Sequence, residues 1–180
     1  VRFFITGGTG FIGKHLCKML SSKDDEVFAL VRHGSNCNEI KKLSNLHLIY
    51  GSMDDLSWAD NLVHPFDILF HVAINWDRLD PKEDQNLINI FAEKGLKNLV
   101  YFSSICASGI DLSPQPLLEN NKPIFLAKDF YGKYKWDVER YIHQSAANGL
   151  YDAAIIRPTI VYGPGSFRFY RQQIIDFITC

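Results

Sequence analysis

The stretch Gly7-Gly8-Thr9-Gly10-Phe11-Ile12-Gly13 joins an apolar, β-forming run, Val1 to Thr6, to a segment with helical spacing of apolar residues, Phe11 to Ser21. A glycine-rich turn in that position is tightly constrained. Gly7 permits the sharp turn, Gly10 lets the backbone come close to a ligand, and Gly13 lets the helix pack near the first strand. The N–H groups that open a helix have no acceptor within it, so with the helix dipole they hold an anion. Strand, turn and helix together predict a pyrophosphate cradle built from Gly7, Thr9, Gly10, Phe11, Ile12 and Gly13.

The rest of the chain alternates between strand-like and helix-like segments. Val27 to Val31, Leu46 to Tyr50, Phe66 to Ala73, Leu99 to Ser103 and Ala153 to Arg157 read as strands. Asp54 to Val63, Gln85 to Lys94, Asp129 to Ala147 and the tail Phe169 to Ile178 read as helices. A loop from Asp111 to Pro123 is interrupted by Pro114, Pro116 and Pro123. Alternation of this kind predicts an α/β protein: a doubly wound (Rossmann) parallel sheet with helices on both faces.

Size and charge narrow the function classes. A chain of 180 residues suits one dinucleotide-binding domain spanning 1–180. A net charge of -1 gives no electrostatic footprint for nucleic acid or an anionic membrane, and no apolar run reaches transmembrane length. Cys17, Cys37, Cys106 and Cys180 form neither a metal-binding spacing nor a CxxC pair, so the expectations are no metal, reduced thiols and a cytoplasmic setting.

The turn's spacing is Gly-x-x-Gly-x-x-Gly, and Thr6 to Gly13 resembles the opening of the short-chain dehydrogenase/reductase superfamily, most of all its extended branch, the NAD-dependent epimerase/dehydratase family. The resemblance implies a nicotinamide dinucleotide. An acidic residue at the end of the second strand would bond the ribose 2′-OH, whereas an arginine accommodates a 2′-phosphate. The chain has Val31-Arg32-His33 there, so Arg32 tilts the expectation to NADP, with NAD second. Where the family commonly has Gly-Asp-hydrophobic after the third strand, this chain has Gly51-Ser52-Met53; Ser52 and Met53 are expected at the adenine. His71-Val72-Ala73 resembles the family's His-x-Ala-Ala, which puts Val72 and Ala73 backbone beside the cofactor and leaves His71 structural.

Tyr131-Gly132-Lys133-Tyr134-Lys135, with Glu139 beyond it, resembles the family's Tyr-Gly-x-Ser-Lys-x-x-x-Glu. The spacing puts Tyr131 and Lys135 on one helix face. A hydride leaving or reaching a carbinol carbon needs a proton moved at its oxygen. A phenol beside an ammonium is suited to that, because the cation favours the phenolate. The resemblance implies Tyr131 as acid/base, Lys135 holding the nicotinamide ribose as well, and Ser104 orienting the substrate oxygen. Tyr134 stands in for the family's Ser at a position without chemistry. Arg157-Pro158-Thr159-Ile160-Val161-Tyr162-Gly163-Pro164-Gly165 resembles the segment along the nicotinamide, with Pro158 and Thr159 at the carboxamide side.

Departures from the pattern carry information. Sugar-nucleotide dehydratases place Asp-Glu after the catalytic Thr; Ile105 and Cys106 stand here, which leaves epimerisation or carbonyl reduction. Cys106 is expected as a small buried hydrophobe. Asn75 to Pro81 passes almost at once into a helix, where the family has a longer loop carrying Asn-x-x-Gly-Thr. The family's C-terminal substrate domain would lie mostly beyond Cys180. The expected function is an NAD(P)-dependent oxidoreductase or epimerase acting on a small-molecule substrate, a nucleotide sugar, in a homodimer. The alternatives are a ketone or aldehyde reductase of dihydroflavonol or hydroxysteroid type, a non-catalytic dinucleotide-binding protein, and an inactive fragment.

Overall fold

The computed structural model describes residues 1–21, 24–110, 118–119 and 121–166. In chain order the elements are β1 (Arg2–Thr6), α1 (Phe11–Leu20), β2 (Glu26–Val31), β3 (Leu46–Tyr50), β4 (Ile68–His71), α2 (Pro81–Glu93), β5 (Asn98–Phe102), α3 (Phe130–Ala147) and β6 (Asp152–Ile156), with 3-10 turns at Ser57–Asn61 and Ile105–Ser108. The six strands form one sheet in the order β3-β2-β1-β4-β5-β6. Every ladder is parallel. The chain winds outward from β1 to β3, then crosses back to β4 on the other side. That reversal opens a crevice at the carboxyl ends of β1 and β4, where doubly wound folds bind ligands.

A sheet covered on both faces needs strands that are apolar on both sides. β1 supplies this by alternation. Phe4 faces a core with Trp58, Phe66, Leu69, Phe91, Leu99, Val138 and Ile142, beneath α2 and α3. Phe3 and Ile5 face the opposite core with Cys17, Val27, Ala29 and Ile40, beneath α1. Phe4 is the hub of an aromatic cluster, with ring centroids 4.7 Å from Phe91, 5.1 Å from Phe66 and 5.6 Å from Trp58. Burying one such ring contributes about 1.5–3 kcal/mol. Burial also pushes the Cys17 thiol up to about 12, so this cysteine is a packing group.

Three segments differ from the sequence expectation, each for a visible reason. α2 begins at Pro81 rather than Gln85: Asp80 caps it by accepting from Lys82 N (3.0 Å), and its first turn buries Glu83 and Asp84, polar residues that an apolar period does not register. β4 is shorter than Phe66 to Ala73, because the N–H groups of Val72 and Ala73 each donate to Thr6 Oγ1 at 3.0 Å and leave the ladder. The helix expected over Asp54 to Val63 contracts to Ser57–Asn61, where the Trp58 indole donates to Ser52 O (2.8 Å) and fills the space beside Gly51. The tail Phe169 to Ile178 and most of the loop Asp111 to Pro123 lie outside the described residues.

Candidate functional site

The glycine turn stands at the crevice. Gly7 has φ +71°, and a Cβ there would approach the Ala73 backbone at 3.1 Å. A Cβ on Gly13 would overlap the Gly7 carbonyl, so α1 can start this close to β1 only with glycine. Gly10 N donates to Gly7 O (2.9 Å) and Gly10 O accepts from Lys14 N (3.0 Å), which closes the turn and starts the helix. Gly10 caps α1 without a side-chain bond, and the first turn carries no acidic residue. The N–H groups of Phe11, Ile12 and Gly13, in the first turn, have no acceptor within the helix. A glycine-lined approach and an uncapped helix start fit a pyrophosphate. Val72 and Ala73, just past the end of β4, flank the turn.

A second opening lies at the ends of β2 and β3. A cavity of about 490 Å3 is lined by Arg32, His33, Tyr50, Ser52, Asp55 and Asn61, among others. Arg32 and Ser52, expected at the adenosine end of the cofactor, both line this cavity. Met53 does not: it turns into the core beside Trp58. No carboxylate follows β2, and Ser52 is hydrogen-bonded to Asp54. Arg32, Ser52 and the open cavity between them fit the polar ribose end of a dinucleotide.

The third group lies at the ends of β5 and β6. Ser103 N donates to Ile156 O (2.8 Å) and Ile105 N to Pro158 O (3.0 Å), which pins the turn after β5 to the segment after β6. Ser104, buried, caps the 3-10 turn and accepts from Cys106 N (3.2 Å). That bond uses a lone pair and leaves the O–H to donate. Cys106 is exposed, against expectation, because the 3-10 turn buries Ala107 and Ser108 instead. α3 starts directly on this turn: a Cβ on Gly132 would lie 2.5 Å from Cys106 O. Pro158 is half-buried and Thr159 exposed.

Lys135 lies one helical turn beyond Tyr131 and is buried. It donates to Tyr101 Oη (3.1 Å) and to the Phe102 carbonyl (2.9 Å). An ammonium has three donors, so one remains for a ligand. Burial lowers its pKa to about 8, against the opposing pull of Asp84 and Glu139. Tyr131 is half-buried, and its ring stacks on Trp76 at 5.0 Å and 24°. Trp76 rides on the short connection after β4, where Asn75 Nδ2 (2.9 Å) and Arg78 Nη1 (3.1 Å) both donate to Glu83 and brace the turn. The sequence reading missed Trp76, Tyr101 and Asp84. An exposed tryptophan in a short loop was the only available sign of the first.

Beneath this surface runs a buried relay. Thr6 Oγ1 accepts from two N–H groups, so its hydrogen goes to His71 Nδ1 (2.8 Å). His71 Nε2–H then donates to Asp84 Oδ1 (2.9 Å), and Tyr134 Oη donates to Asp84 Oδ2 (2.7 Å). Burial, with Asp84 close by, pushes the Tyr134 phenol up, so it stays a donor. His71 is fully buried in this chain. Among the described residues no group of three or more His, Cys, Asp or Glu could hold a metal ion. No described helix is long and apolar enough to cross a membrane.

The crevice thus has a glycine turn at the end of β1, Ser104 in the turn on which α3 starts, and Tyr131 and Lys135 on α3. Residues 3–180 match the model of the NAD dependent epimerase/dehydratase family, and the chain belongs to that family. It is 28% identical over 179 residues to UDP-glucose 4-epimerase of Vibrio cholerae, covering 89% of this chain and 52% of that protein. It is 23% identical over 192 residues to 4-hydroxy-2-methyl-3-oxo-4-farnesyl-3,4-dihydroquinoline-1-oxide ketoreductase of Stigmatella aurantiaca, covering 99% of this chain and 55% of that one. Among solved structures, a UDP-galactose 4-epimerase superposes with a TM-score of 0.74 at 27% identity, covering 99% of this chain and 62% of that one. The chain spans about half the length of the curated relatives it matches.

Proposed function

We propose that this chain is the cofactor-binding part of an NAD(P)-dependent epimerase or carbonyl reductase, with a nucleotide sugar as the substrate class and NADP(H) preferred over NAD(H). The observation that carries the reading is Lys135: a buried ammonium one helical turn from Tyr131, with two donors spent on the protein and one unspent. The dinucleotide would supply the hydride acceptor or donor. The glycine turn would hold its pyrophosphate, Val72 and Ala73 would flank it, and Pro158 and Thr159 would meet its carboxamide end. Ser104 donates its O–H to the substrate oxygen and fixes it near Tyr131. Tyr131 takes the proton from a carbinol as phenolate, or returns it to a carbonyl as phenol. The Lys135 charge stabilises the phenolate form, which brings the proton transfer toward neutral pH. The exposed Ile105 and Cys106 after Ser104 offer no carboxylate for elimination of water, which argues against dehydration.

Replacing Tyr131 by Phe tests this directly. Turnover of UDP-glucose, or of a ketone substrate if the reductase reading holds, should fall by about 100-fold or more, the usual worth of general acid–base catalysis. Cofactor titration by fluorescence should be unchanged. Unchanged turnover would remove Tyr131 as acid/base, and failure to bind either dinucleotide would remove the enzyme reading.

A further inference from the structure

The cavity at the ends of β2 and β3 contains a second basic side chain beside the one that suggested a phosphate. His33 follows Arg32 and is likewise exposed. Its ring stacks on Tyr50 at 5.4 Å and 27°, which holds the imidazole plane at the rim of the cavity. Both basic residues line it, together with Tyr50. Neither Arg32 nor His33 forms an ion pair with a described residue. The nearby carboxylates are already engaged. Asp54 is held low chiefly by the Ser52 hydroxyl, with Arg78 and Arg32 as weaker causes. Asp55 is held low by the Ser57 backbone and hydroxyl, and accepts from Ser57 N at 3.0 Å.

We propose that His33 is a second ligand of a phosphate on the adenosine ribose, beside Arg32, and that it strengthens the preference for the phosphorylated over the unphosphorylated dinucleotide as pH falls toward neutrality. The inference rests on the proposed cofactor reading and adds to it a titratable residue. An arginine stays cationic as pH changes, so the preference it gives does not strengthen as pH falls. A histidine changes charge between about pH 5 and 8, and a phosphate monoester loses its second proton near pH 6. Between those limits a dianionic phosphate meets an imidazolium. The complex then binds more protons than the separate partners, so affinity rises as pH falls. Among the described residues, the other charged or titratable groups lining the cavity are Arg32, Tyr50 and Asp55, with Asp54 within reach of Arg32, and residues of those types do not titrate between about pH 6 and 8.

The test is calorimetric titration of the whole chain, and of its His33→Ala and Arg32→Ala variants, with NADPH and with NADH at about pH 6.5 and about pH 8.5. His33 is exposed on a loop, and NADH affinity reports whether each variant keeps its fold. In the unmodified chain the ratio of the two dissociation constants should favour NADPH about ten-fold more at the lower pH, the worth of one charge-assisted hydrogen bond. His33→Ala should flatten that dependence and leave NADH binding unchanged. Arg32→Ala should weaken NADPH at both pH values while keeping the slope. An equal pH slope with and without His33, equal losses for both dinucleotides, or a preference for NADH throughout overturns the inference while the enzyme reading stands. Binding of neither dinucleotide overturns both.

Discussion

One helical turn separates Tyr131 from Lys135, and burial has brought the Lys135 ammonium to about 8. Two pH dependences of opposite sign follow. As pH rises through about 8 the charge proposed to stabilise a Tyr131 phenolate is lost, so turnover should decline on the alkaline side. Stability moves the other way. The unfolded chain holds this proton up to about pH 10.4, so between about 8 and 10.4 the unfolded state binds more protons and folding strengthens with pH. Asp84 and Glu139 oppose the burial effect, so Asp84→Asn should bring the alkaline limb of the pH–rate profile to lower pH. A limb that stays in place would separate Asp84 from the site. At this scale the sequence showed placement, Tyr131 and Lys135 on one helix and Ser104 after a strand, because those patterns are local. The partners of Lys135 have none, since Tyr101 is 34 residues away.

At the scale of elements, α2 and α3 meet through Asp84 and Tyr134, 50 residues apart. Tyr134 takes the place of a serine in the family pattern, and it is not idle: its hydroxyl satisfies a buried carboxylate oxygen. Tyr134→Phe should cost about 1–3 kcal/mol, because Asp84 loses a donor and stays buried. Urea unfolding would measure it, and an unchanged midpoint would show that Asp84 finds another donor. The strands were legible because β1 to β5 carry dense β-forming apolar runs. The start of α2 was not, because its first turn buries Glu83 and Asp84. Burial of polar groups follows from partners on other elements, and a periodicity argument sees only apolar ones. The turn at Ile105–Ser108 escaped for a related reason. It is short, and it is held by Ser104 and by the carbonyl of Pro158 on a distant segment.

At the scale of the whole molecule, the C-terminal half of the sheet is tied to α3 by charge as well as by strand pairing. Arg157, just past β6, pairs with the fully buried Glu139 of α3 through Nη2 (2.5 Å) and Nε (3.0 Å), and Ser103 Oγ donates to the same carboxylate. Glu139→Gln should destabilise by about 3 kcal/mol, since it leaves Arg157 without its counter-charge in a largely buried position. Loss of less than about 1 kcal/mol would mean that solvent supports the guanidinium. The doubly wound order was legible from alternation alone, because parallel strands joined by helices admit few handed arrangements. The position of the reversal was less so, since it depends on which strands pair across long separations.

β1, at the centre of the sheet, is synthesised before the five other strands. Thr6 and His71 stand 65 residues apart, so β1 cannot gain its second neighbour until β4 has left the ribosome. At roughly 5–20 residues per second that delay is several seconds. Throughout it Phe4, fully buried at the end, lacks most of its cluster, and the glycine turn lacks the Ala73 wall. A nascent chain of this design therefore displays its stickiest segment before the segment that covers it exists. It offers chaperones a substrate well before it offers a ligand a site.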